Sequence, residues 1–288
     1  MARVAIVGVG AIGGTLAGLL HSAGQHEIML CTRRPMTALL VHTPEGDVQV
    51  KARNATNPAE AETADWVIVS TKTYDAAGAA AWFPALCAKD TRVAVVQNGV
   101  EHRERFQPYV SADRLLPVVI DCPAERRPDG SVDVRGAALM KVEDEPLGRE
   151  FAELFNGSSA KMVLVEDFTT AAWWKLCINS VGALNALTLK PAGLLRDETM
   201  GRLALELVAE CVAVGRAEGA QFDDTMGEQV LARYREHPED SVNSLLADRL
   251  AGRQMETDAR NGAIVRKGEK HGIATPLNRM AVTLLDAM

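Results

Sequence analysis

One stretch near the start decides the fold of this chain: Val4-Ala5-Ile6-Val7-Gly8-Val9-Gly10-Ala11-Ile12-Gly13-Gly14. Its apolar half is typical of a buried strand, and its three glycines follow at the spacing G-x-G-x-x-G. In a strand, turn and helix of this kind, the first glycine permits the tight turn and the second leaves space for a pyrophosphate. The third lets the helix lie close to the strand. The stretch predicts a dinucleotide site made by Gly8, Val9, Gly10, Ala11, Ile12 and Gly13.

The surroundings of this motif strengthen the prediction, because a glycine-rich loop without a ligand can show the same spacing. Thr15–Leu20 has the composition of a helix start, and a second apolar run, His26–Cys31, follows at the distance expected for a β-α-β unit. The free N–H groups and the positive dipole end of such a helix attract phosphate groups.

The end of the second predicted strand indicates which dinucleotide binds. NAD sites usually carry an Asp or Glu there, which binds the ribose 2′-hydroxyl. Here the strand ends in Cys31-Thr32-Arg33-Arg34, with no acidic residue between Ile28 and Arg34. Guanidinium groups bind a 2′-phosphate strongly, so we predict NADPH as the cofactor and Arg33 as one of its ligands. The alternative is a pair of solvated surface arginines.

Composition excludes several classes of partner. The 288 residues include 38 acidic and 31 basic side chains, a net charge of −7, which argues against nucleic-acid or membrane-surface binding. The five cysteines are scattered without a C-x-x-C pair, so they predict neither a disulfide framework nor a metal site. No secretory signal or membrane-spanning run is expected, and we predict a cytoplasmic protein.

The distribution of apolar runs predicts two domains. Residues 1 to about 120 alternate between strand and helix patterns, which favours a parallel sheet covered on both faces. A hairpin of Ser131–Arg135 with Ala138–Val142 is predicted next, and from Asp167 onward the pattern is helical. We therefore predict a dinucleotide-binding domain over residues 1–166. Residues 167–288 are predicted to form a helical domain that binds the substrate and supplies the catalytic groups.

Two polar residues follow strand ends in the first half. Lys72 comes just after the strand predicted near residues 65–70, and Asn98 comes just after the one near residues 92–97. Ligands of open α/β sheets bind beyond the carboxyl ends of the strands, so both are placed to reach the nicotinamide half of a cofactor. The alternatives are an exposed loop lysine and, because Asn-Gly favours turns, a turn-forming asparagine.

A second group of candidates lies in the helical half. Lys175 and Asn179 share a helix face within an apolar sequence, where a lysine is costly unless it lines a cavity or has a partner. Desolvation lowers a lysine pKa, which suits a general acid near neutral pH; the alternative is a lysine that reaches solvent. Ser244 and Glu256 would not share a face of one straight helix, so a common site requires a break near Ala251-Gly252.

Together these features resemble the ketopantoate reductase family over nearly the whole chain. The resemblance rests on the glycine motif, the arginine after the second strand, Asn98-Gly99, Lys175-Leu176-x-x-Asn179 and Ser244…Glu256. It implies a Rossmann-type domain with a mostly parallel sheet, an all-α C-terminal domain and an active site in the cleft between them. It also implies NADPH-dependent reduction of 2-dehydropantoate, a small 2-keto acid, to pantoate.

The same resemblance implies roles for individual residues. Lys175 corresponds to the proton donor of the family, and Glu256 to a residue of the active centre near the cofactor. Asn179, Ser244 and Asn98 correspond to substrate-binding positions. Arg33, Lys72, Asn98 and Glu256 correspond to positions around the cofactor.

The chain departs from the family pattern in two places that bear on the substrate, and one of them is the segment near Arg135-Gly136. The family usually has a second asparagine four residues after the first, where this chain has Ala183, and Asn185 points to a different side of a regular helix. A paralogue that reduces another 2-keto acid is therefore an alternative, and a non-catalytic NADP(H) sensor is a second one. The sequence also leaves open whether the helical half pairs with a second copy as a homodimer.

Overall fold

The chain forms two compact units in a computed structural model that describes residues 1–288. The first unit consists of Met1–Gln97 and His102–Glu166. The second consists of Asp167–Met288 together with the short segment Asn98–Glu101. This short segment follows a strand of the first unit in sequence but packs with the helical residues.

The first unit is built on a six-stranded parallel sheet with two smaller sheets. The strands, in chain order, are β1 (Ala2–Val7), β2 (His26–Cys31), β3 (Leu39–Thr43), β4 (Gly46–Val50), β5 (Arg53–Ala55), β6 (Ala64–Val69), β7 (Cys87–Val95), β8 (Leu115–Pro117), β9 (Val119–Asp121), β10 (Ala124–Arg126), β11 (Val132–Val134), β12 (Leu139–Glu143) and β13 (Lys161–Val165). The order of the main sheet is β5-β2-β1-β6-β7-β8, and every neighbouring pair is parallel. The strand order changes direction between β1 and β6, which is where ligands of such sheets bind.

Five helices accompany these strands. They are α1 (Ala11–Ala23), α2 (Ala76–Ala80), α3 (Phe83–Leu86), α4 (His102–Phe106) and α5 (Pro146–Glu153). Side chains of β1 alternate between the two sides of the sheet: Val4 and Ile6 belong to one apolar core, and Ala5 and Val7 to the other. A strand buried on both faces has no polar face, which is why the run is apolar throughout. The predicted α/β fold class with a parallel sheet is confirmed.

The predicted hairpin of residues 131–135 with 138–142 is wrong. The strands concerned, β11 and β12, lie in different sheets, of order β10-β11-β3-β4 and β13-β12-β9. The turn at Pro128-Asp129-Gly130 does form a hairpin, but it joins β10 to β11. Alternation along a strand identifies its buried face but not its partner. Here β11 pairs with its neighbour β10 and with the distant strand β3.

The second unit is helical. Its helices are α6 (Phe168–Thr188), α7 (Glu198–Ala217), α8 (Met226–Glu236), α9 (Ser244–Leu250), α10 (Ala263–His271) and α11 (Pro276–Asp286), and a π-helix spans Asp258–Gly262. The Asp167 side chain caps α6 by accepting a hydrogen bond from the Thr170 backbone N–H. Trp173, Leu176 and Val181 of α6 pack into the core of this unit. No helix of the chain combines the length and the apolar character needed to cross a membrane.

The predicted break between Ser244 and Glu256 is present. Helix α9 ends at Leu250, and Gly252 has a φ of 61°, a left-handed conformation that glycine adopts without a steric penalty. An extended stretch then leads to the π-helix, so Glu256 immediately precedes a new helical segment.

Glu218, just after α7, joins that helix to α10 through two lysines and a histidine. Its carboxylate contacts Lys267 at 3.0 Å, Lys270 at 2.7 Å and His271 at 2.5 Å. Burial acts to raise the pKa of Glu218, but the hydrogen bonds from these side chains lower it from 4.5 to about 2. Because the folded pKa is below the unfolded one, the network stabilises the fold fully above about pH 4.5, and this stabilisation is lost as the pH falls toward about 2.

We expect Glu218→Gln to lower the free energy of unfolding at neutral pH by roughly 1 kcal/mol, allowing for solvent screening. Urea titrations at about pH 7 and about pH 3 measure the effect, and the difference between variant and wild type should shrink at the lower pH. Glu206→Gln, at an exposed position of the same helix, is the matched control. A destabilisation independent of pH would contradict the assignment.

Candidate active site

The glycine turn of the first unit has the geometry of a phosphate-binding loop. Gly8 has a φ of 95°, so the chain leaves β1 in a left-handed turn. A Cβ on Gly13 would lie 2.1 Å from the Gly8 carbonyl oxygen, because α1 starts close against the strand end. A Cβ on Gly10 would have no heavy atom within 4 Å. The backbone beside Gly10, at the start of α1, is therefore open, as the predicted pyrophosphate site requires.

A cation that the sequence motif did not reveal lies beside this turn. Arg126, at the end of β10, donates a hydrogen bond from Nη1 to the Val9 carbonyl oxygen. Its guanidinium brings a positive charge to the turn that would face the phosphates. The strand pairing of β10 brings it there from more than a hundred residues away, so no local pattern could have indicated it.

The two arginines after β2 are exposed. Thr32 turns the chain by donating from Oγ1 to the Arg34 carbonyl oxygen at 2.7 Å. The guanidinium groups of Arg33 and Arg34 form no ion pair with a carboxylate of the protein. An arginine without an acidic partner at the end of the second strand is available to an anionic group on the adenosine ribose.

Lys72 lies next to the glycine turn at the end of β6. It is half-buried and begins a short 3-10 turn over Thr73–Asp75. The preceding Thr71 is fixed by the Gln97 side chain, whose Nε2 donates to the Thr71 carbonyl oxygen at 2.9 Å and to its hydroxyl at 3.1 Å. Thr71 in turn packs under Gly8, where a Cβ would lie 2.7 Å from the Thr71 nitrogen. Adjacent parallel strand ends thus bring Lys72 to the predicted nucleotide site.

The second unit brings together the candidates that are far apart in sequence. Asn179 donates from Nδ2 to the Asn98 side-chain oxygen at 3.3 Å, and Asn98 donates from Nδ2 to the Glu256 carboxylate at 3.0 Å. Lys175 is half-buried one turn before Asn179 on α6. The cluster of Lys175, Asn179, Asn98 and Glu256 is called the polar cluster below.

The Asn98 side chain reaches this cluster because Gly99 permits a close approach. Gly99 has a φ of 95°, and a Cβ there would lie 2.5 Å from the Ala259 carbonyl oxygen. Two residues later, Glu101 accepts two hydrogen bonds from Arg266, of 3.1 and 2.7 Å. This bidentate contact raises the pKa of Arg266 and holds residues 98–101 on the helical unit. Asn98-Gly99 is thus both a turn and part of the candidate site.

We expect Gly99→Ala to lower kcat/KM by roughly tenfold, because the Asn98 turn must move away from the π-helix to relieve the contact. Steady-state kinetics and the thermal midpoint measure the two consequences. The matched control is Gly219→Ala, since Gly219 has a φ of 101° but a Cβ there would have no heavy atom within 4 Å. Equal effects of both substitutions on kcat/KM would contradict a role for the Asn98 turn.

Ser244 forms no hydrogen bond with the polar cluster and contacts instead an arginine that sequence patterns did not indicate. Its exposed hydroxyl accepts a hydrogen bond from Nη2 of Arg260 at 2.7 Å. Arg260 belongs to the π-helix, one turn after Glu256, and its side chain is buried. An arginine in an otherwise ordinary helical pattern predicts a solvated side chain, so its burial becomes apparent only in the structure.

The position of the family's second asparagine is apolar here. Ala183 is fully buried and packs with Leu245. Asn185 does not replace the missing amide, because its Nδ2 donates to the carbonyl oxygens of Lys190 and Pro191 at 2.9 Å each. Its Oδ1 accepts from Asn243 at 2.9 Å, so the Asn185 side chain is used within the fold.

The chain matches two models of one protein family. The family model described as ketopantoate reductase PanE/ApbA matches residues 4–146, and the model of the C-terminal domain of the same family matches residues 167–288. The chain belongs to the ketopantoate reductase family. Membership of the ketopantoate reductase family makes it an oxidoreductase.

Individual relatives of the family cover the whole chain. The 2-dehydropantoate 2-reductase of Caulobacter vibrioides is 50% identical over 287 residues, which span 100% of this chain and 99% of the relative. The enzyme of the same name from Mycobacterium tuberculosis strain CDC 1551 is 40% identical, spanning 99% of this chain and 97% of its own. A ketopantoate reductase structure from Ralstonia eutropha is 32% identical with a TM-score of 0.90, covering 99% and 97% of the two chains.

Proposed function

We propose that this chain catalyses the NADPH-dependent reduction of 2-dehydropantoate to pantoate. The observation that carries the proposal is the polar cluster, because Asn98, Asn179 and Glu256 form one hydrogen-bonded group one turn from Lys175. A structural network has no need of a lysine on the same helix face. The names of the relatives at 50% and 40% identity support the same reaction.

The residues of the first unit fit a nicotinamide dinucleotide. The space beside Gly10 and the N–H groups at the start of α1 would hold the pyrophosphate, with the Arg126 charge beside them. Arg33 and Arg34 would bind a 2′-phosphate, and Lys72 would contact the nicotinamide half. The absence of an acidic residue after β2 supports NADPH over NADH.

The residues of the second unit supply the acid chemistry. When bound, the reduced nicotinamide supplies a hydride, and the ketone carbon that accepts it leaves negative charge on its oxygen. Lys175 stabilises this charge through its ammonium group and donates the proton that completes the alcohol. Asn179 and Asn98 orient the substrate, and the Glu256 carboxylate orients the Asn98 amide by accepting its N–H.

A second candidate is the reduction of another 2-keto acid with the same groups. Ala183 favours this candidate, because its methyl group offers no hydrogen bond to the primary hydroxyl of 2-dehydropantoate. Since Asn185 is held by Lys190 and Pro191, it does not restore the contact. The nucleotide site and the proton donor are the same in both cases.

Steady-state oxidation of NADPH with 2-dehydropantoate tests the proposal. A panel of 2-keto acids that lack the primary hydroxyl is measured beside it at equal concentrations. The highest kcat/KM with 2-dehydropantoate is expected. A higher value with another member of the panel would support the second candidate. NADPH binding without turnover on any member would support a sensor and overturn the enzymatic proposal.

We propose that the protein acts in the cytoplasm and that it assembles as a homodimer. The five cysteines are free thiols, which supports a reducing compartment. A structurally similar ketopantoate reductase from Staphylococcus aureus, 22% identical, is described as dimeric.

A further inference from the structure

Arg260 carries a buried positive charge that forms no ion pair with a carboxylate of the protein. Its side chain is 2% exposed. Of the five N–H groups of the guanidinium, one donates to the Ser244 hydroxyl, and Nε is buried without a partner. Neither its hydrogen bonds nor its ion pairs include a carboxylate. A buried guanidinium is costly unless a negative group compensates for it. The ligand-free protein therefore lacks an anionic partner for the Arg260 guanidinium.

The groups that surround Arg260 do not supply the missing charge. Ser244 is a neutral hydroxyl. The Arg260 charge interacts electrostatically with the phenol of Tyr234. Burial nevertheless raises the pKa of Tyr234 to about 12, so the phenol is neutral at physiological pH. Its hydroxyl already donates to the Ile178 carbonyl oxygen at 2.9 Å. The Glu256 carboxylate, four residues earlier in sequence, accepts the N–H of Asn98, and Arg260 forms no hydrogen bond or ion pair with it.

A ligand can approach this group from one side. Ser244 is exposed, and its hydroxyl lies 2.7 Å from the guanidinium, so the hydrogen-bonded pair connects the buried charge to solvent. The residue before Arg260, Ala259, lies against Gly99, which follows Asn98 of the polar cluster in sequence. An anionic group bound by Arg260 would therefore be held by the same helical segment that packs against the Asn98 turn.

We propose that Arg260, together with the Ser244 hydroxyl, binds the carboxylate of the 2-keto acid substrate. The inference rests on the proposed function and adds the residue that makes the site select acids over neutral carbonyl compounds. A guanidinium matches the two oxygens of a carboxylate, and the N–H groups left unused in the protein are the donors for this contact. The hydroxyl of Ser244 supplies a further hydrogen bond to the same group.

The central experiment separates substrate binding from folding by replacing Arg260 with residues of similar length. Arg260→Met is expected to raise KM for the keto acid by roughly tenfold to hundredfold, with a smaller change in kcat and no change in the Kd of NADPH. Arg260→Lys, which keeps the charge, should recover part of the loss. Since the substitution by methionine removes an uncompensated buried charge, the thermal midpoint of the ligand-free protein should stay the same or rise.

The matched control is Arg253→Met, because the Arg253 guanidinium already pairs with Asp248 at 2.9 Å. It should leave KM for the keto acid unchanged. If Arg260→Met does not fold, Ser244→Ala at an exposed position tests the same contact and should raise KM by a smaller factor. An unchanged KM in Arg260→Met, or in Ser244→Ala where Arg260→Met does not fold, would overturn the proposal. A loss of kcat and NADPH binding together would overturn it as well.

Calorimetric titration with oxamate, a non-reducible analogue of a 2-keto acid, distinguishes this inference from the proposed reaction. If the wild type turns over no keto acid but binds oxamate, and Arg260→Met does not, the carboxylate site stands while the proposed reaction fails. If the wild type reduces 2-dehydropantoate and Arg260→Met binds oxamate with unchanged affinity, the reaction stands and the role of Arg260 is refuted.

Discussion

Replacing Lys175 by alanine is expected to lower kcat by about 10²–10⁴-fold, the range that a positioned general acid contributes. Without the ammonium group, the oxygen of the ketone has neither a positive charge beside it nor a proton donor as it becomes an alcohol. The Kd of NADPH should change little, because the glycine turn and the arginines that would hold the nucleotide belong to the other unit. Steady-state kinetics and fluorescence titration with NADPH measure the two quantities.

Two further variants make the Lys175 result specific. Lys175→Arg keeps a positive charge but cannot release its proton near neutral pH, so it should remain strongly impaired. Lys190→Ala removes an exposed lysine just after the same helix and should leave kcat unchanged. Near-normal turnover in Lys175→Ala would remove Lys175 from the role of proton donor.

Replacing Arg33 by aspartate is expected to change the preference for NADPH over NADH by roughly 10²–10³-fold. The substitution removes a charge-assisted contact to the 2′-phosphate and places there a carboxylate that repels the phosphate. The same carboxylate can accept a hydrogen bond from the 2′-hydroxyl of NADH, as the acidic residue of NAD sites does. The ratio of kcat/KM values for the two cofactors measures the effect.

The control for Arg33 is an arginine that already has a partner. Arg53, on the edge strand β5, pairs with Glu62 at 2.8 Å and is similarly exposed. Arg53→Asp should leave the cofactor ratio unchanged, although it reverses the same charge in the same unit. A wild-type preference for NADH, or an unchanged ratio in Arg33→Asp, would refute the assignment of NADPH.

Sequence patterns predicted those parts of the fold that depend on neighbouring residues. The glycine spacing predicted a turn whose open side is at Gly10 and whose close contact is at Gly13, and the structure shows both. The capping residue Asp167 and the break at Gly252 were predicted for the same reason, since caps and left-handed turns are local. The roles assigned to Lys175, Asn179, Ser244 and Glu256 stay predictions until the variants are measured.

Other features could not be predicted because they depend on which distant segments pack together. The predicted pairing of residues 131–135 with 138–142 failed in this way, because β11 lies beside the distant strand β3 and β12 belongs to another sheet. The association of Asn98–Glu101 with the helical unit depends on the contact of Glu101 with Arg266, 165 positions away. The position of Arg126 beside the glycine turn also depends on the packing of segments that are far apart in sequence.

The sequence by itself determined a parallel sheet with a glycine turn and a following helical half, because each is expressed in short-range periodicity and spacing. Only the tertiary structure decided that Asn98, Asn179 and Glu256 share one hydrogen-bonded cluster. It also decided that Arg260 is buried beside Ser244. Burial and charge compensation are properties of the packed chain, since they depend on every segment that surrounds a side chain and not on its neighbours in sequence.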